Sequence, residues 1–112
     1  MTGITTHVLD TSRGRPASIV PVTLEVRSGR DWRRLAIAAT DSDGRARLVP
    51  AGAALAAGIY RLTFDTGAYF QAHGAEAFFP SVPVVFEVRD PDQSHHVPLL
   101  LSPFGYSTYR GS

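Results

Sequence analysis

The chain has 112 residues, of which 44% are hydrophobic and 19% charged, with a formal net charge of +1 and no cysteine. That length suits one domain spanning residues 1–112, with enough apolar area to offset the entropy lost on folding, so intrinsic disorder is excluded. Interspersed acidic and basic residues leave no stripe to track a nucleic-acid backbone, and the absence of cysteine removes disulfides, thiolate ligands and thiol nucleophiles.

In chain order, the opening Met1-Thr-Gly-Ile-Thr lacks a charged segment followed by an apolar core. No apolar run approaches the roughly 20 residues of a membrane-spanning helix, so no membrane partner is expected, and a cytoplasmic location is the default expectation. Ile4 to Leu9 is a candidate first strand. Val20, Val22, Leu24 and Val26 then alternate with Pro21, Thr23, Glu25 and Arg27, the period of a half-buried strand. Ser28-Gly-Arg-Asp31 and Asp41-Ser-Asp-Gly44 carry turn chemistry on either side of a candidate strand over Trp32 to Thr40, and Ala46 to Val49 follows.

Tyr60, Leu62 and Phe64 alternate with Arg61, Thr63 and Asp65. The alternation breaks at Ala68 to Gly74, whose helix formers end in a glycine, predicting one or two helical turns. It resumes with Val82, Val84, Phe86 and Val88, then with His96 to Leu101 and Tyr106 to Tyr109. About eight strands and one short helix describe an all-β, two-sheet sandwich or a barrel. Pro21, Pro83 and Pro98 belong at edges, or with their nitrogens facing away from a paired strand. Leu99, Leu100 and Leu101 place apolar side chains on both faces of one strand, which predicts a core on one side and another subunit on the other.

Candidates for chemistry are His7, Arg45, His73, His95, His96 and the polar run Ser107 to Ser112. Each has a plain structural reading. A lone strand histidine such as His7 is more often hydrogen-bonded than catalytic, His73 suits a helix C-terminus, and arginines after Asp-Gly turns are mostly solvated. His95 and His96 are adjacent and point to opposite faces, so one strand offers only one of them to a site. His96 shares the parity of Leu100 and Ser102, the proposed subunit face. Nucleophile-elbow, phosphate-loop, dinucleotide and zinc-protease motifs are absent, and the histidine spacing has no metal-site character.

The ends of the chain carry a specific resemblance. Tyr109-Arg110-Gly111-Ser112 resembles the terminal signature of the 5-hydroxyisourate hydrolases, the transthyretin-related proteins of urate degradation. His7-Val-Leu-Asp10 resembles their histidine segment, Thr40-Asp-Ser-Asp-Gly-Arg45 their arginine segment, and His96-Val-Pro-Leu-Leu-Leu-Ser102 with Gly105-Tyr-Ser-Thr-Tyr109 their last two strands. Gly67-Ala-Tyr-Phe70 and Phe78-Phe-Pro80 also fit. Ser94 stands where members often have a further histidine, and His95 replaces a frequent aromatic.

The resemblance implies a transthyretin-like sandwich and a cofactor-free, metal-free hydrolase in purine metabolism. It implies a homotetramer whose sites lie at a subunit interface, with His7, Arg45 and His96 catalytic and Tyr109, Arg110, Gly111 and Ser112 binding substrate. His7 and His96 would orient and deprotonate water, and Arg45 would hold the ring and stabilise negative charge. Tyr109 and Ser112 would close the pocket. Which histidine acts as base stays open at this level. The rival readings are a transthyretin-like carrier that binds a flat ligand without turning it over, and a monomeric sandwich that serves only as an interaction domain.

Overall fold

The computed structural model describes residues 2–112. Its strands are β1 (Ile4–Asp10), β2 (Arg15–Pro16), β3 (Pro21–Ser28), β4 (Asp31–Ala39), β5 (Arg45–Val49) and β6 (Gly58–Phe64). Helix α1 (Thr66–Ala72) then leads to β7 (Val82–Val88), β8 (His95–Ser102) and β9 (Gly105–Thr108). They form two sheets, so the sandwich alternative holds over the barrel. One sheet runs β4-β3-β6-β7; in the other, β8 lies between β1 and β9, while β2 and β5 pair with opposite ends of the far edge of β1.

The alternating side chains that predicted strands are those that fill the space between the sheets. Val22 and Leu24 of β3, Leu62 and Phe64 of β6, Val82 of β7, Ile4 and Val8 of β1, and Leu99 of β8 are fully enclosed. Burial of such side chains contributes roughly 1.5–3 kcal/mol each before conformational entropy is counted. Tyr60 stacks on its cross-strand partner Phe86 and donates its hydroxyl to the Ala56 carbonyl at 2.6 Å, so its one polar atom is satisfied.

Three differences from the sequence reading have physical causes. The helix begins at Thr66 rather than Ala68, because Asp65 leaves the strand alternation to cap it, accepting from the Ala68 amide at 3.0 Å. The two-residue β2 carries too little pattern to be read from sequence. Pro98 lies in an inner strand: the β8–β9 ladder stops at Leu99–Thr108, skips the proline that has no N–H, and resumes in the same register at His96–Gly111. Pro83 does sit on an edge strand, and Pro21 opens its strand.

Candidate functional site

The outer surface of the β5-β1-β8 sheet assembles the site from strand register. Inward positions Thr6 and Val8 of β1, Ala46 and Leu48 of β5, and His95, Val97 and Leu99 of β8 are buried. Side chains of the opposite parity therefore face outward. Arg45, His7 and Pro98 lie side by side across the three strands, and Arg47, Thr5 and His96 form the next row. Directly opposed residues carry Cβ atoms about 4.5–5.5 Å apart, so residues distant in sequence converge on one patch.

Each strand end is fixed locally. Asp41 organises the turn before β5: its carboxylate accepts from the amides of Asp43 at 2.9 Å and Arg45 at 3.0 Å, and its backbone pairs with Arg45 and Gly44. The bond from the Arg45 amide holds the Asp41 carboxyl below its usual pKa, and the nearby positive charge of Arg45 adds to this. Gly44 takes φ +77° with its carbonyl bound to the Val8 amide at 2.7 Å. Arg45 therefore enters β5 beside His7.

On β8, the imidazole of His96 is held by Thr5, whose Oγ1 lies 2.8 Å from Nδ1. The tail then crosses beside it. The Gly111 amide donates to the His96 carbonyl at 2.8 Å, and a Cβ at residue 111 would stand 2.5 Å from His96 Cδ2. Partial burial pushes the His96 pKa below its ordinary value, and the charges of Arg45 and His7 push it the same way against a hydrogen bond to the Thr5 backbone. A shift in this direction favours the neutral imidazole.

A polar cavity of about 500 Å³ opens on this surface, lined by Thr5, Arg45, Arg47, His96 and Ser112, with Asp41 at one side. The predicted residues divide around it. Arg45, His96 and Ser112 line the cavity, and Gly111 backs the His96 ring. His7 is not among the lining residues, although it is the strand neighbour of Arg45 and follows Thr5 by two. Tyr109 and Arg110 line a separate, mostly apolar hollow of about 200 Å³ between β7 and β8. Outside that hollow, Arg110 donates to Gln93 Oε1 at 3.1 Å.

His95 points inward, as its parity predicted, and is only 4% exposed. His73 caps the helix, and its Nδ1 lies 2.7 Å from Arg13 Nη1. Sequence reasoning missed Thr5 and Arg47. The signal that could have found them is parity: each is two residues from a predicted site residue and so shares its face. Among the described residues no cluster of three or more His, Asp or Glu side chains is placed to hold a metal ion.

A sandwich of this topology, with a histidine-and-arginine cavity on the outer face of one sheet, defines a transthyretin-type scaffold carrying a small-molecule site. The chain belongs to the HIUase/Transthyretin family, which matches residues 4–111. It is 51% identical over 116 residues to a 5-hydroxyisourate hydrolase of Caulobacter vibrioides, covering 100% of both chains. The 5-hydroxyisourate hydrolase structure from Klebsiella pneumoniae superposes with a TM-score of 0.87 at 38% identity over 100% of both chains. Sea bream transthyretin in complex with thyroxine superposes with a TM-score of 0.90 at 30% identity, over 97% of this chain and 94% of that one.

Proposed function

We propose that this chain is an enzyme that hydrolyses 5-hydroxyisourate to 2-oxo-4-hydroxy-4-carboxy-5-ureidoimidazoline in urate degradation. The observation that carries the reading is the register that lays Arg45 beside His7 and His96 beside Thr5 on one exposed face. The full-length similarity to hydrolases supports the same substrate.

Water attacks the activated carbonyl of the cyclic amide, one imidazole removes its proton, and the C–N bond breaks as the ring nitrogen is protonated. Arg45 offers a planar fork of donors for a flat, carbonyl-rich ring and for the charge that develops on the attacked oxygen. Ser112, at the cavity edge, contributes binding contacts, while Gly111 leaves room for the His96 ring. Tyr109 and Arg110 reach substrate only as part of an assembled oligomer.

That assembly is a homotetramer with its sites at a subunit interface, in the cytoplasm. The reading is supported by the apolar side chains of Leu9 and Leu100, which share the outer face with His7 and His96. A monomeric mass by light scattering would overturn it. No helix among the described residues is long and apolar enough to cross a membrane.

The deciding assay generates 5-hydroxyisourate in place from urate and a urate oxidase, and follows its decay with and without this protein. Acceleration over spontaneous hydrolysis is expected. A carrier would leave the decay unchanged, and would be indifferent to His7→Asn and His96→Asn.

A further inference from the structure

The hydrolase reading leaves two histidines to share one proton transfer, and the surroundings of His96 separate them. Thr5 and His96 are direct partners in the parallel β1–β8 ladder, so a β-branched residue with restricted χ1 freedom faces the imidazole. The 2.8 Å contact joins Thr5 Oγ1 to Nδ1, the nitrogen on the Cβ side of the ring. On the other side, Gly111 sits against Cδ2 so closely that no side chain fits between them. The ring is therefore held between Thr5 and Gly111. Among the described residues no hydrogen bond to the chain engages His96 Nε2, and that atom is not among the buried polar atoms left without a partner.

We propose that Thr5 is the positioning residue that makes His96, rather than His7, the general base: its hydroxyl oxygen accepts a hydrogen bond from Nδ1–H, fixing that tautomer and presenting the Nε2 lone pair to the cavity. In that arrangement the nitrogen facing Thr5 carries the hydrogen, and the opposite nitrogen is the free base. In the reaction Nε2 takes the proton of water as the new C–O bond forms. It returns that proton to the substrate's ring nitrogen as the C–N bond breaks, and the other proton stays on Nδ1, hydrogen-bonded to Thr5, throughout. No comparable hydrogen bond orients the His7 ring among the described residues, so His7 is left to hold water or substrate beside Arg45.

The inference rests on the hydrolase reading for its catalytic meaning, but its first test does not. In ¹⁵N-detected spectra of the wild-type protein labelled at histidine, taken near pH 7.5, His96 is expected to show a pyrrole-type Nδ1 and a pyridine-type Nε2. The reverse pattern would overturn the proposal whether or not the protein turns over substrate. Thr5→Val keeps the shape and removes the hydroxyl. It is expected to lower kcat at least 10-fold, within the roughly 10²- to 10⁴-fold worth of general-base help, with little change in KM and with mixed tautomers at His96. Thr5→Ser is expected to restore both readouts. A Thr5→Val protein with wild-type kcat and an unchanged His96 spectrum would refute the role. Wild-type protein without hydrolase activity would refute the function while leaving the tautomer assignment to the spectra.

Discussion

His7 and Arg45 face one another across the antiparallel β1–β5 ladder, joining the first strand to the residue that follows the Asp-Gly turn. The pair sits beside His96, whose pKa is lowered by partial burial and by the charges of Arg45 and His7. In the proposed mechanism, the cation that binds substrate thus also helps to keep the base deprotonated.

Replacing Arg45 by Met should therefore do two separable things. Loss of the guanidinium should lower kcat/KM by roughly 10²- to 10³-fold, as expected for a donor to developing oxyanion charge. A nearby positive charge disfavours the imidazolium, so its removal raises the His96 pKa, and the acid limb of the kcat/KM profile should move to higher pH. A full pH profile of the variant checks both, and an unmoved acid limb would mean that Arg45 does not set the charge on His96.

Gly111→Ala should damage activity out of proportion to stability. Its methyl would stand 2.5 Å from His96 Cδ2 and 3.2 Å from Pro98 Cγ, so either the ring tilts or the tail detaches. Residues 106–110 before it are exposed, and little packing depends on the tail. The expected result is a small loss of melting temperature, because the tail can detach without opening the core, with kcat reduced at least 10-fold on the scale of general-base help. Equal loss of both would show that the tail is a structural strand and nothing more.

Two backbone positions should move stability in opposite directions. Gly44 has φ +77°, and a Cβ there would meet the Val8 carbonyl oxygen at 2.4 Å. Gly44→Ala should thus cost about 1–3 kcal/mol for the conformation alone, plus the displaced β1 contact. Ile19 holds φ 60° with its side chain 75% exposed, a conformation that β-branched residues resist. Ile19→Asn should stabilise by about 1 kcal/mol. Urea denaturation of both variants reads the signs directly.

Stability should also depend on pH through His95. Its Nδ1 is buried without a hydrogen-bond partner, and burial, with the charge of Arg110, pushes its pKa below 6.5. His96 is shifted the same way. The unfolded chain then binds more protons than the folded one as pH falls through 6.5 toward the lowered folded values, so stability rises with pH across that window and is lost below it. His95→Phe should remove part of this slope. It should also stabilise the protein by about 1 kcal/mol at pH 6, because an unsatisfied buried group costs about 1–3 kcal/mol. Melting temperatures from pH 5 to 8 for both proteins test this, and parallel curves would contradict it.

Strand character and facing were legible in the sequence because a strand exposes its two faces with period two. Val22, Leu24, Leu62, Phe64, Leu99 and Leu101 are buried as their alternation required, and His95 and His96 divide between the faces as adjacency required. The resemblance of the tail and histidine segments supplied the candidate residues. Register was not legible. Nothing local in β1 says that His7 will lie opposite Arg45, or that Thr5 will lie against His96, because those pairings depend on which strands become neighbours. Nor could alternation foresee that Asp65 would leave its strand to cap a helix, or that the ladder would pass over Pro98 and resume at Gly111. Side-chain period is a property of the backbone and is written locally, whereas the convergence of Thr5, Arg45, His96 and Gly111 is a property of sheet pairing and was decided only when the chain folded.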